Sequence, residues 1–189
     1  MTILIKKVKA NTLGQPEMLD PEDKIDVIKT YWAKAKESLP NYEVLEQELA
    51  TYVIELPQEV SMLDLSNMNK LYAISQAFFT RVSTINNMAL GNHALWQMVY
   101  DYMVDYLKDK ESQLMVTEEV SQLKSKELRE ATIRNKLQEL YNKVRKVKGT
   151  LTRSDTFLKM SENKKKELIT GIGNLTKQIN TLKIERGIT

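Results

Sequence analysis

The chain has no cysteine among its 189 residues and a single histidine. Without cysteine there is no disulfide framework and no thiolate nucleophile or ligand, an absence that fits a reducing compartment. With one histidine and no cysteine, no HxxxH, HExxH or CxxC spacing exists, so a transition-metal site has no support. Proline is equally scarce. The four prolines stand at 16, 21, 40 and 57, and the 132 residues after Pro57 contain nothing that would break a helix on proline grounds. No apolar run approaches the ~20 residues of a membrane span. The opening TILIKKVKAN is too short in its apolar stretch for a signal peptide. These absences predict a soluble, cytoplasmic, mostly helical protein that is not an enzyme and needs no metal or cofactor.

Charge is what the chain has, and it is split between the two ends. Residues 1–120 carry 11 Lys/Arg against 18 Asp/Glu, whereas residues 121–189 carry 17 against 7. The overall balance of +3 conceals an acidic front and a strongly basic tail. A basic tail of this kind implies an anionic partner. Hydrophobic content of 42% is enough for a core.

Two parts are expected: residues 1–60, an extended arm with two short helices, and residues 61–189, a long helical hairpin. The arm covers residues 2–9, with Lys6, Lys7 and Lys9, before a loop holding Gly14 and Pro16. Asp20-Pro21-Glu22-Asp23 reads as a helix start: an N-cap aspartate, proline at the first helical position and acids in the first turn. Ile25, Ile28, Tyr31, Trp32 and Ala35 mark one face of that helix, and Leu39-Pro40 ends it. A second helix carries Val44, Leu45, Leu49, Tyr52, Val53 and Leu56 and is expected to stop at Pro57. Residues 61–115 hold a helical stripe from Leu65 through Phe79, Trp96 and Leu107 to Leu114, wide enough for a bundle helix, with Gly91-Asn92 as the expected kink.

The tail has the most regular pattern. From Leu137 to Leu182 eleven of fourteen seam positions are apolar, a spacing that argues for coiled-coil packing. The three polar positions, Ser154, Ser161 and Lys165, mark a weak seam, a hinge or a turn. A single helix over 118–186 would be roughly 100 Å long and could not bury its seam alone. The fold predicted is therefore all-α: a long antiparallel hairpin of residues 61–115 against 118–186, with two short N-terminal helices on its base. The late seam, Leu168, Ile172, Leu175, Ile179 and Leu182, outruns the shorter partner and predicts a homo-oligomer.

Three features come near to catalytic or binding chemistry. His93 falls on a seam position between Ala89 and Trp96 with no orienting partner in view, which reads as a core histidine before a general base. Asp101, Asp105 and Asp109 recur every fourth residue, a stripe that suits solvent, or the basic segment of a neighbouring subunit, better than a Mg²⁺ site. Gly171-Ile172-Gly173-Asn174-Leu175-Thr176-Lys177 lacks the GxxxxGK[ST] spacing and a preceding strand. Its glycines suit bending or close helix approach.

The basic segment is the candidate binding site. Lys143, Arg145, Lys146, Lys148 and Arg153 fall within eleven residues, followed by Lys159, Lys164, Lys165 and Lys166, with Tyr141 and Phe157 among them. Cations for phosphates and ring faces for bases are what single-stranded nucleic acid requires. The bland alternative is a solvated coiled-coil surface, although such surfaces normally mix signs more evenly. No helix-turn-helix, zinc finger or RNP motif supports base-specific readout.

Residues Ser125 to Leu137 (SKELREATIRNKL), followed by Tyr141 and the heptad helix, resemble a pattern in small helical proteins of tailed phages. The stretch from Thr152 to Gly187, through Leu158-Lys159 and Lys183-Ile184-Glu185-Arg186-Gly187, resembles the end of UvsY-type recombination mediators. The likeness covers about the last third of the chain. It implies an oligomer that binds single-stranded DNA and helps load a recombinase, with no catalytic residue. The alternative expectation is a structural or adaptor coiled-coil protein, a virion component or an inhibitor of a host system, whose basic arm meets an acidic protein surface.

Overall fold

A computed structural model describes residues 21–56 and 64–187, the side chains of 21–23 excepted. The proposed arm at 2–9, the loop at 10–19 and the Asp20 cap lie outside the described residues. Within them the chain forms six helices and no strand: α1 (Pro21–Glu37), α2 (Tyr42–Thr51), α3 (Leu65–Met115), α4 (Glu118–Ser121), α5 (Lys126–Lys136) and α6 (Gln138–Glu185). None of these helices is long and apolar enough to cross a membrane.

The boundaries follow local chemistry. Asn41, Asp64 and Ser125 each accept a hydrogen bond from a first-turn amide, of Val44, Ser66 and Leu128, at 3.3, 3.2 and 3.1 Å. Such caps satisfy donors that the helix itself leaves unpaired. Between α3 and α6 the chain turns through α4 and α5. The tail is therefore not a single rod from 118. It is three helices, and the last, 48 residues long, spans roughly 70 Å.

The two long helices form an antiparallel hairpin, with three core clusters along its length. Near the turn, Trp96, Val99 and Met103 of α3 meet Val147 of α6 and Ala35 of α1. In the middle, Val82, Ile85 and Ala89 meet Phe157, Leu158 and Leu168, with Tyr42 and Leu49 of α2. At the open end, Met68 meets Leu175, Ile179 and Leu182. Full burial of a side chain of this size is worth about 1.5–3 kcal/mol.

This arrangement corrects the reason for expecting an oligomer. Leu168, Leu175, Ile179 and Leu182 are buried, and Ile172 half-buried, within the hairpin of one chain. The α3 partner begins at Leu65, so it reaches far enough to cover the end of the seam. No second copy is needed to bury it.

The N-terminal helices do not sit on the base. They run along the hairpin from near the turn to its middle, and residues 52–56 carry the chain on to the open-end cluster, where Leu56 packs. Lys24 of α1 bonds Asp105 and Asp109 of α3 at 2.7 and 2.6 Å. Further along, Asn92 ties three segments: it accepts from the Tyr42 hydroxyl at 2.8 Å and donates to the Ala35 carbonyl and Ser38 hydroxyl at 3.2 and 3.0 Å. Arg81 of α3 grips Glu48 of α2 through two bonds of 2.6 and 2.9 Å. α2 stops at Thr51, short of the expected Pro57, and residues 52–56 continue without helix. That segment brings Ile54 against α6 at Gly171, where a Cβ would stand 3.0 Å from the Ile54 Cδ1. Gly171 therefore admits a close approach, though of a non-helical segment.

Packing decides between the alternatives left open at two places on the long helices. α3 continues without a break through Gly91-Asn92, where Asn92 points inward and makes the ties just described. The polar gap at 154–165 is neither turn nor hinge. Ser154 and Ser161 are fully buried in continuous α6, and Ser161 accepts from Asn86 of α3 at 3.0 Å while donating to the Leu158 carbonyl at 2.8 Å. One polar seam position on each long helix, Asn86 and Ser161, thus meets the other across the hairpin, while the buried Ser154 hydroxyl has no hydrogen-bond partner among the described residues.

Candidate nucleic-acid interface

α6 carries every cation of the candidate segment, and the hairpin treats its two halves differently. The later half is engaged within the chain. Arg153 lies 3.9 Å from Glu46 and above the Tyr42 ring. Lys159 pairs with Asp155 at 2.6 Å and Lys164 with Glu167 at 3.0 Å. Lys165 stands 5.9 Å over the Phe79 ring. Lys166 is exposed and, among the described residues, without an ion pair. Of these pairs, those of Arg153 and Lys159 are exposed and worth under about 1 kcal/mol each, so phosphates compete for these two cations at modest cost.

The earlier half is free. Lys143, Arg145, Lys146 and Lys148 are all exposed. Among the described residues none of them has a carboxylate within ion-pair distance. At about 100° per residue they spread around the outer face of the helix and do not form a single row. Val144, Val147 and Leu151 on the inner face hold this stretch rigid in the core near the turn.

The two aromatics assigned to stacking fare differently. Phe157 is 1% exposed, with its ring centroid 4.8 Å from that of Tyr42. It is a core residue with no face left for a base, which removes it from the site. Tyr141 is half-buried and donates its hydroxyl to Glu111 of α3. That bond, and then burial, raises its pKa above the ordinary tyrosine value. The ring is thus a fixed wall beside the basic surface.

A different aromatic reaches the basic surface. Trp32 of α1, with Ile28, Met103, Tyr106 and Leu140, lines an apolar cleft of about 640 Å³ between α1, α3 and the start of α6. Lys29, Lys36 and Lys143 stand at its edge. Trp32 packs edge-on against Trp96, and the Lys36 ammonium lies 5.6 Å from its ring centroid. This site was missed because Trp32 reads as core on the α1 stripe. The spacing of Lys29, Trp32 and Lys36, at three and four residues, was the available signal: it puts two cations and a ring on one helix flank.

The aspartate stripe is only partly left to solvent: Asp101 is exposed and accepts from Gln97 at 2.8 Å. Asp105 and Asp109 hold Lys24, a side chain only 9% exposed, and hydrogen bonds to the two carboxylates raise its pKa. The stripe docks a basic residue, but one from its own chain. His93 is half-buried, and its Nδ1 is enclosed without a hydrogen-bond partner among the described residues. Among those residues no group of three or more His, Cys, Asp or Glu side chains is placed to hold a metal ion. No family model, no curated protein and no solved structure matches this chain.

Proposed function

We propose that this protein is a non-enzymatic binder of single-stranded nucleic acid, an accessory factor of phage-type replication or recombination. The observation that carries this reading is the cluster Lys143, Arg145, Lys146 and Lys148: four cations on one and a half turns of rigid helix, with no carboxylate partner among the described residues. Counterion release on phosphate binding favours association with any polyanion. The nearby cleft supplies the Trp32 ring for an unstacked base, the role first given to Phe157. Replacing Lys143, Lys146 and Lys148 together by glutamate abolishes oligonucleotide binding and leaves far-UV circular dichroism unchanged. Unaltered affinity in that variant would place the interface elsewhere.

One observation favours a second reading, an adaptor that binds an acidic protein. The cleft beside Lys29, Lys36 and Lys143 is almost wholly apolar, and offers little to hydrogen-bond the edges of a base. An amphipathic helix with acidic flanks would match it in both character and charge. A stable complex with an acidic helical peptide, and no retention on single-stranded DNA at low salt, would decide for the adaptor.

A further inference from the structure

The corner where α5 gives way to α6 contains a second cationic feature, and it lies partly outside the basic segment. Leu137 alone separates the two helices. The last turn of α5 and the first two turns of α6 therefore bring Arg134, Asn135, Gln138, Tyr141, Asn142 and Arg145 around one pocket of about 450 Å³. The lining contains two guanidiniums and three carboxamides, and no acid. Among the described residues neither arginine pairs with a carboxylate, and Asn135, Gln138 and Asn142 make no side-chain hydrogen bond. Two acids stand next to it: Glu111 accepts from the hydroxyl of Tyr141, itself part of the lining, and Glu130 lies 3.7 Å from Lys126, and both share an adjoining pocket with Arg134 and Tyr141.

The pocket is also held in shape. Arg129 donates from Nε to the Leu123 carbonyl at 2.8 Å, which ties α5 to the preceding turn, and Ile133 is buried beneath it. On the other side, α6 is anchored by Leu140, Val144 and Val147 in the core near the turn. Guanidinium forks and amide donors that line one pocket suit a tetrahedral oxyanion, because planar paired donors match phosphate oxygens two at a time.

We propose that this corner is a phosphate subsite, with Arg134 and Arg145 as its principal ligands and Asn135, Gln138 and Asn142 as supporting donors. Its place on a strand rests on the nucleic-acid reading: a phosphate held here leads directly onto Lys146 and Lys148. The group recognised is a phosphate, either a backbone diester or the terminal monoester of a 5′-phosphorylated strand.

The test uses the full chain and an R134Q/R145Q variant with two probes. The first is inorganic phosphate, read as the shift in melting temperature against chloride at equal ionic strength. The second is a short oligothymidine, with and without a 5′-phosphate, read by fluorescence anisotropy across a salt series. Phosphate raises the melting temperature of the natural chain and not that of R134Q/R145Q. The variant binds oligothymidine about tenfold more weakly, with a salt slope shallower by about 0.7, the share of one phosphate on a single strand. A deficit confined to the 5′-phosphorylated strand identifies a terminal monoester, and an equal deficit on both identifies a diester. R134K/R145K keeps the salt slope but not the full affinity, since charge survives and the fork does not. Oligothymidine binding and phosphate response unchanged in R134Q/R145Q overturn the subsite and leave the nucleic-acid reading standing. Phosphate protection through the two arginines without oligothymidine binding does the reverse.

Discussion

Leu175 tests whether the tail seam is closed within one molecule. Its side chain is completely buried and packs with Met68, Ile179 and Leu182. Leu175→Ala removes three carbons, worth about 2.4 kcal/mol at ~0.8 kcal/mol each. The cavity left between two long helices adds to this, for a total of about 3 kcal/mol, rising to about 5 if the helices cannot close the gap. An unfolding entropy of about 2.1 cal/mol/K per residue amounts to ~0.4 kcal/mol/K for a chain of this length, so the melting temperature falls by about 7 °C. Ile169, 53% exposed on the other side of the same helix, is the control, and its replacement by alanine changes stability by less than about 0.5 kcal/mol. Both variants and the natural chain are melted over a roughly hundredfold range of protein concentration. A seam closed within one chain gives midpoints independent of concentration, whereas a seam shared between copies makes them rise with it. A concentration-dependent midpoint in the natural chain, or a Leu175→Ala cost below about 1 kcal/mol, would refute the reasoning.

Gly149→Ala meets nothing within 4 Å and stabilises the chain by about 0.5–1 kcal/mol through helix propensity. Gly171→Ala gains less, because its new methyl crowds Ile54 Cδ1, and adding I54V, which deletes that atom, restores the gain; equal gains at the two glycines in thermal melts would contradict this. Glu48 is held at a pKa of about 2, first by its hydrogen bonds to Arg81 and then by the Tyr52 hydroxyl, against an ordinary value of 4.5. Its folded pKa is depressed, so its stabilising contribution is complete above about 4.5 and drains away as pH falls toward 2. Urea titrations from pH 6 to about 2.5 should therefore show a steeper acid loss in the natural chain than in Glu48→Gln. Lys24→Met leaves Asp105 and Asp109 without their cation; these side chains are 52% and 33% exposed and can take up water, so the cost is about 1–2 kcal/mol, below the 3–5 of a fully buried pair, as read from the urea midpoint.

How much of this was legible in the sequence depended on whether a property was periodic or relational. Apolar spacing located α1, α3 and the seam of α6, and the Pro21 start of α1 followed from the fixed backbone angle of proline. The polar gap could not be interpreted from α6 alone, because Ser161 is explained only by Asn86, 75 residues away across the hairpin. The same limit applies to Asp105 and Asp109, whose cation lies over eighty residues earlier. The apolar stripe continues through Tyr52, Val53 and Leu56 and so extends the expected helix, although the chain there is irregular and touches α6 through Ile54 at Gly171. Within the basic segment, charge density was visible, but the division into free and engaged cations was not. That division depends on which acids the fold brings near: Glu46 reaches Arg153, and among the described residues no carboxylate reaches Lys143, Arg145, Lys146 or Lys148. Phe157 shows the limit of reading an aromatic by its neighbours in sequence. Flanked by cations, it looked like a stacking platform, and its helical register placed it in the core.

The most direct test is the salt dependence of oligothymidine binding by the natural chain. The four cations Lys143, Arg145, Lys146 and Lys148, unpaired among the described residues and each neutralising one phosphate on a single strand, give a slope of about −3 for log affinity against log salt, or roughly a fiftyfold loss for a fourfold rise in salt. A slope near zero, or no binding at the lowest salt, would show that Lys143 to Lys148 do not engage a phosphate chain.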